Sequence, residues 1–244
     1  MNGGARAARA LWLGWWSAMR RYHRFEVRNL EAVERGGAAL IVGYHGRPVA
    51  RDLCMLQTLI YERTGALPYA VMHATYETTP VLRWLIEGGG FVTGDGSQME
   101  NLVKGGTKIM VTPGGTREGC RSFRHRYRVD WGGRLGYLRL ALKYKLPILP
   151  TASSGVDDTY IGLNDGYAWG KRLRIPGRMP AWIGVGPLGL WPLSPPYPVK
   201  ITLHVGAPID FSDDKVDPND RQALLALHAR VTGAVQSLLD EARA

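Results

Sequence analysis

Residues 41–56, IVGYHGRPVARDLCML, carry the side chains best suited to chemistry. An apolar run at 38–42 breaks at Gly43 and delivers Tyr44, His45 and Gly46 into a turn. Arg47 and Pro48 then lead to Asp52 at the head of an apolar helix. A strand end therefore presents an imidazole with a carboxylate close behind it. A histidine so placed can take a proton from a hydroxyl, and a nearby aspartate can hold its ring in the useful tautomer. The same residues also read as an ordinary loop histidine followed by a helix N-cap, so the rest of the chain has to decide.

A second stretch, residues 110–121 (MVTPGGTREGCR), ends a buried strand in Pro-Gly-Gly and continues with Thr116, Arg117 and Glu118. Glycines let backbone N–H groups approach a phosphate or a developing oxyanion. Arg117 adds a guanidinium that can hold phosphate through two parallel hydrogen bonds. Arg121, Arg124, Arg126 and Arg128 form a basic run suited either to solvent or to carrier phosphates and anionic head groups. Asp157 and Asp158, in SGVDDTY, follow another strand and are further cleft candidates. Cys54 and Cys120 show neither zinc-site spacing nor a disulfide pattern, and neither has an obvious local base. No metal is expected, and covalent catalysis is disfavoured.

These residues need a scaffold. Strands are expected at 38–42, 68–72, 91–93, 107–112, 147–152 and 200–205. Helices are expected at 53–63, 79–87, 97–104, 135–145 and 217–242, with Ser97 and Glu100 forming a capping box. This alternation predicts an α/β fold with a mostly parallel central sheet flanked by helices. Ligands of such sheets collect at the carboxyl ends of strands, and the His45 and Pro113 loops both follow strands in that way. Residues 181–199 are apolar but rich in Pro and Gly, and read as a greasy loop.

Residues 5–24 read as an N-terminal helix with arginines at 6, 9, 20, 21 and 24. Trp12, Trp15, Trp16 and Met19 share one stripe; Ala10, Gly14, Ser17, Ala18 and Arg21 lie broadly opposite. The uncharged run 10–19 is about 15 Å long as a helix, half of a hydrocarbon core. The expectation is an amphipathic membrane-interface helix (residues 1–30) with its tryptophans toward lipid and its small face on the domain. The competing arrangement turns the tryptophans inward as core. A single domain, 31–244, follows. No cleavable signal peptide is expected.

The 244 residues include 31 Lys and Arg against 21 Asp and Glu, a net charge of +10, with eight tryptophans and fifteen prolines. An anionic partner follows. Nucleic acid is disfavoured because no reading helix or RNP-type motif is present, and the missing GxSxG elbow argues against a serine hydrolase.

Taken in order, these stretches resemble the glycerolipid and lysophospholipid acyltransferase superfamily. His45 and Asp52 stand in the places of its catalytic His and Asp. Residues 91–101, with FVTGDG, look like its second block. PGGTRE (113–118) is similar to the third block of the diacylglycerol acyltransferase-like branch, and LPILP (146–150) and residues 206–209 fit the closing landmarks. The resemblance implies transfer of a fatty acyl group from an acyl thioester, either acyl-CoA or acyl carrier protein, to a glycerolipid or lysophospholipid hydroxyl. His45 is then the base and Asp52 its partner, and Gly114, Gly115, Thr116, Arg117, Glu118 and Arg47 contact substrate. No tightly bound cofactor is implied, and the enzyme is expected at an anionic membrane surface, peripheral or monotopic, on the cytoplasmic face. The alternative is a non-catalytic lipid-binding module on the same fold. Six residues separate His45 from Asp52 where the common motif has four. A bulged turn must compensate, or a backbone carbonyl or another acid orients the imidazole.

Overall fold

The computed structural model describes residues 3–72, 84, 88–93, 96–175, 179–211 and 216–243. The chain opens with helix α1 (Gly3–Tyr22), strand β1 (Glu26–Arg28) and a single turn, α2 (Glu31–Glu34). It continues through β2 (Leu40–Gly43), α3 (Arg51–Thr64), β3 (Tyr69–Met72), β4 (Phe91–Thr93), α4 (Gly96–Lys104), β5 (Ile109–Val111) and α5 (Gly115–Gly119). Then come α6 (Gly136–Tyr144), β6 (Ile148–Ser154), β7 (Ile161–Gly162), α7 (Tyr167–Arg172), β8 (Gly184–Gly186), β9 (Gly189–Leu190), β10 (Thr202–Val205) and α8 (Arg221–Glu241).

Seven strands form a sheet in the order β1-β10-β6-β2-β5-β3-β4. Every pairing is parallel except that of β10 with β6. β2 (LIVG), β5 (IMV) and the start of β6 (ILP) read as unbroken apolar runs because both faces are covered. Leu40, Val42, Ile109 and Ile148 point into one core beneath α6 and α8, whereas Ile41, Met110 and Leu149 point into the other, beneath α3. α8 begins where the Asp220 carboxylate accepts the amides of Gln222 and Ala223, which supplies the donors a helix start leaves unpaired. With β2 and β5 adjacent, the His45 and Pro113 loops leave the same sheet edge side by side.

Four sequence expectations need correction or limits. The tryptophans of α1 face mostly inward. Trp16 is buried among Cys54, Met55 and Ile201, with Trp12 and Met19 packed against them. The Trp12 indole donates to Gln57 at 2.9 Å. α3 offers apolar surface and an indole acceptor, so burying two large rings gains more than burying alanines. The exposed side of α1 instead carries Ala7, Ala10, Leu11, Gly14, Trp15 and Ala18. Second, the greasy segment is not a plain loop: it holds β8 and β9, which join β7 in a small antiparallel sheet. Third, the edge strand β1 was not expected; its three residues alternate exposed and half-buried, with too little apolar content to signal a strand. Fourth, the helix expected at 79–87 falls outside the described residues except for Trp84, as do Gly94 and Asp95 of FVTGDG and the side chain of Ser97.

Candidate active site

Gly43 ends β2 where a side chain would meet Leu53 at 2.7 Å and Thr151 at 2.9 Å. The next two residues point opposite ways. Tyr44 turns inward, its ring under the Arg121 guanidinium at 4.5 Å and its hydroxyl donating to Asp157. His45 turns outward, with its backbone held on both sides. Its amide donates to Glu118 Oε2 at 3.0 Å, and its carbonyl accepts from Arg121 at 3.3 Å.

The imidazole bonds through Nδ1 to the Gly46 carbonyl at 2.8 Å. A carbonyl only accepts, so the neutral ring carries its proton on Nδ1 and keeps the Nε2 lone pair for a ligand. Burial pushes the His45 pKa down to about 4; the Gly46 hydrogen bond opposes this and Arg121 reinforces it. The ring is therefore neutral, and able to accept a proton, at physiological pH. Gly119 lies directly against it: a Cβ there would sit 2.7 Å from the imidazole Cε1 and Nδ1 and 2.8 Å from the Pro48 carbonyl. Gly119→Ala should displace the ring and lower kcat/KM by about a hundredfold, since misplacing a reacting group by 1 Å costs that much. A melting curve close to wild type, measured alongside turnover, assigns the loss to geometry.

Glu118 is fully buried and ties the two loops together. Besides the His45 amide, it accepts the Asp130 amide at 2.8 Å and the Trp131 indole at 3.1 Å. Burial raises its pKa to about 7, although Arg121 and the amides of Asp130 and His45 pull the other way. Gly114 is required beneath it, since a Cβ there would overlap the Glu118 carboxylate at 2.1 Å.

Beside the His45 loop an open cleft of about 480 Å³ is lined by Arg117, Arg121, His125, Arg128, Asp130 and Tyr167, with Val129 and Asp165. A strand-end imidazole on a loop fastened by Arg121 to an arginine-rich cleft suits acyl transfer to an oxygen nucleophile near an anionic group. Residues 24–154, more than half of the chain, match the family model described as Acyltransferase.

The chain belongs to the acyltransferase family.

Among curated relatives, this chain is 25% identical over 231 residues to the "DGAT1/2-independent enzyme synthesizing storage lipids" of Bos taurus. The match covers 90% of this chain and 64% of that protein. It is 27% identical over 224 residues to an uncharacterized protein of Mycobacterium tuberculosis, covering 89% of this chain and 61% of that protein. The chain thus spans less than two thirds of the length of either relative. Its fold is similar to that of the 1-acyl-sn-glycerophosphate acyltransferase PlsC from Thermotoga maritima, with a TM-score of 0.53 and 16% identity over 94% of this chain and 79% of that one.

The remaining expected site residues of this acyltransferase separate into two groups. Asp52 sits in the first turn of α3, buried, with Oδ2 accepting from Ser153 at 2.7 Å. It makes no hydrogen bond to His45, and the Gly46 carbonyl takes the orienting position. Burial raises the Asp52 pKa to about 6, partly offset by the Ser153 bond. The wider spacing explains the arrangement: residues 47–50 turn sharply enough for Arg51 to donate to Val49 at 2.7 Å, and α3 starts only then. Arg47, expected to contact substrate, is fully buried. Its guanidinium donates to Ser122 at 3.0 Å and lies 3.8 Å from the Asp157 carboxylate. Asp157 is likewise interior, accepting from Tyr44 and from the Tyr127 amide. Asp158 is nearer the surface, with the Tyr127 hydroxyl at 2.5 Å and Arg126 at 3.6 Å.

The Pro-Gly-Gly turn opens less toward a ligand than expected. The Gly115 and Arg117 amides bond inward to the Thr112 and Gly114 carbonyls, and Gly115 takes a φ of 48° that favours glycine. Arg117 and Thr116 do face the cleft side: Arg117 forms a half-exposed ion pair with Asp130 at 2.8 Å, and Thr116 shares a hydrogen bond with the Tyr167 hydroxyl at 3.2 Å. The basic run divides, with Arg121 buried against Tyr44 and Arg128 at the cleft. Burial raises both thiols, Cys120 to about 12, which leaves them poor nucleophiles. Among the described residues no group of three or more His, Cys, Asp or Glu could hold a metal ion.

Sequence reasoning missed Gly119, Ser153 and Trp131. Gly119 had a signal in the third glycine of PGGTREG; Ser153 had none, because Asp52 lies 101 residues away, and no local periodicity links Trp131 to Glu118 across an irregular segment.

Proposed function

We propose that this acyltransferase moves a fatty acyl group from an acyl thioester, acyl-CoA or acyl carrier protein, to a hydroxyl of a glycerolipid or lysophospholipid. The observation that carries this reading is the His45 imidazole, with its proton on Nδ1 and no hydrogen bond from Nε2 among the described residues, on a loop whose backbone is held by Arg121 of the cationic cleft. His45 Nε2 takes the proton from the acceptor hydroxyl as its oxygen attacks the thioester carbonyl, and the thiol leaves with that proton returned to sulfur. The thioester is already activated, so a placed base and proximity supply the needed acceleration without a covalent enzyme intermediate.

Arg117 and Arg128 suit a phosphate on the carrier or on the acceptor, while Arg121 is held by the His45 and Arg128 carbonyls. An exposed pair such as Arg117–Asp130 is worth about 0–1 kcal/mol, so Arg117 can exchange Asp130 for phosphate at little cost. The relative that bears a storage-lipid name supports a neutral acylglycerol acceptor, and the cleft supports a lysophospholipid. A screen of thiol release from acyl-CoA with monoacylglycerol and with lysophosphatidate distinguishes the two. Lipid binding without thiol release from either would favour the non-catalytic module.

The exposed face of α1, with Leu11 and Trp15 near Arg6, Arg21 and Arg24, supports association with an anionic membrane surface. No helix among the described residues is long and apolar enough to cross a membrane.

The pH profile tests the base. A depressed pKa means His45 is already deprotonated near neutrality and loses its lone pair only as the pH falls toward 4. The acid limb of kcat/KM should therefore lie well below the ordinary histidine value of 6.5. A limb near 7 that disappears in Glu118→Gln would assign the titration to Glu118 instead.

A further inference from the structure

The small sheet has two unlike faces. On the inner face, strand pairing places Gly162 opposite Gly184, with Gly186 farther along β8. A Cβ on Gly184 would meet the Trp182 ring at 2.2 Å, one on Gly162 the Arg121 carbonyl at 2.8 Å, and one on Gly186 the Pro195 carbonyl at 2.4 Å. Glycines here let the sheet lie flat on Trp182 and Tyr160. The outer face is the reverse. Ile161 pairs with Val185, and Val185 with Leu190, so all three share that face. Leu163 and Ile183 join it, since the Leu163 amide donates to the Ile183 carbonyl. At the turns beyond, Leu188 is 81% exposed and Leu193 93%. The neighbouring helix α7 packs through Gly166 and Gly170 on residues 179–181; it carries Trp169, and Leu173 follows it, both more than half exposed.

Soluble monomers rarely leave so many large apolar side chains uncovered on one small sheet and the segments around it. We propose that the outer face of β7–β9 together with α7 docks on an anionic lipid bilayer, and that this docking holds the arginine cleft at the lipid surface. Charge decides the occupant. Residues 161–193 contain four cations, Lys171, Arg172, Arg174 and Arg178, against one acid, Asp165. Lys171, Arg172 and Arg174 are exposed beside Trp169 and Leu173, a mixture suited to anionic head groups over an apolar interior. A second copy of the chain would bring the same cations against each other.

Continuity with the site supplies the consequence. Tyr167 of α7 lines the cleft and shares a hydrogen bond with Thr116. Trp182, under the sheet, donates to the Arg121 carbonyl at 3.4 Å. A bilayer on the outer face therefore borders the cleft and would present lipid hydroxyls to it; that consequence rests on the proposed acyl transfer, whereas the docking does not.

The test is flotation of the full chain with phosphatidylcholine vesicles, with and without phosphatidylglycerol. Leu188→Asp/Leu193→Asp should lower partitioning at least about tenfold, and Lys171→Ala/Arg172→Ala/Arg174→Ala should abolish the gain from phosphatidylglycerol. Trp169→Ser/Leu173→Asp provides an independent disruption should the first variant fail to fold, as judged by thermal melting. Unchanged partitioning in the folded double variants overturns the proposal. So does a wild-type dimer, seen by light scattering, that Leu188→Asp/Leu193→Asp splits without changing vesicle binding. Thiol release from acyl-CoA with a short-chain, water-soluble acceptor, measured without vesicles, is independent of docking and should persist in Leu188→Asp/Leu193→Asp. Its absence in the wild type, with the flotation result intact, would defeat the acyl-transfer reading and leave the docking surface standing.

Discussion

Replacing His45 with alanine should lower kcat/KM for acyl transfer by about 10²–10⁴-fold, the usual worth of a placed general base, while the protein stays folded. Among the described residues, the imidazole makes its side-chain hydrogen bond to the adjacent Gly46 carbonyl. The anchoring of the loop runs through the His45 backbone, to Glu118 and Arg121, and survives truncation. Thiol release from acyl-CoA in the presence of acceptor reads the activity, and circular dichroism reads the fold. Near-normal turnover in a folded His45→Ala variant would remove the histidine from the mechanism. Asp52→Asn forms a useful second arm. Because the Gly46 carbonyl orients the ring and Asp52 engages Ser153, Asn at position 52 should cost far less turnover than Ala at position 45. A loss as large as that of His45→Ala would show that the carboxylate approaches the imidazole during turnover.

Replacing Arg47 with methionine should destabilise the fold by about 3–5 kcal/mol, as expected when one member of a buried ion pair is removed. Neither Arg47 nor Asp157 has side-chain exposure, and their charges lie 3.8 Å apart. The guanidinium also donates to the Ser122 and Asp157 carbonyls at 3.0 and 3.4 Å, which fastens the His45 loop to the segments after α5 and β6. Methionine fills similar volume but leaves the Asp157 carboxylate without its cation. Urea unfolding measures the loss. The double variant Arg47→Met/Asp157→Asn should recover part of it, because the stranded charge is gone. The family resemblance implied a substrate contact for Arg47; unchanged stability with a raised KM for acyl-CoA would restore that role.

The comparison of these two residues shows how far the sequence alone reaches. The placement of His45 was legible because it is set locally: a strand end and a glycine-flanked turn follow from a few consecutive positions. The sheet was legible for a related reason. Runs at 38–42, 109–111 and 148–150 are apolar at every position, and only strands buried on both faces need that pattern. Arg47, two residues farther on, carried the same promise of ligand binding, yet its cation went to Asp157, whose sequence separation of 110 no local pattern reports.

The α1 helix makes the same point in packing. The sequence placed Trp12, Trp15, Trp16 and Met19 on one stripe, since 100° per residue fixes which side chains share a face; the structure packs Trp12, Trp16 and Met19 and leaves Trp15 at the exposed margin. Which way that stripe turned depended on what α3 presented to it, namely Cys54, Met55 and the Gln57 acceptor.

The sequence by itself therefore determined the α/β alternation, the strand ends that hold His45 and the PGGTRE block, and the basic charge. The tertiary structure alone decided that Gly46 rather than Asp52 orients the imidazole, that Glu118 joins the two loops, and that a glycine-backed sheet turns its apolar face outward. The physical reason is range. Periodicity and turn chemistry act over a few residues, whereas hydrogen-bond partners, buried charges and uncovered faces are settled only when distant segments compete for the same space.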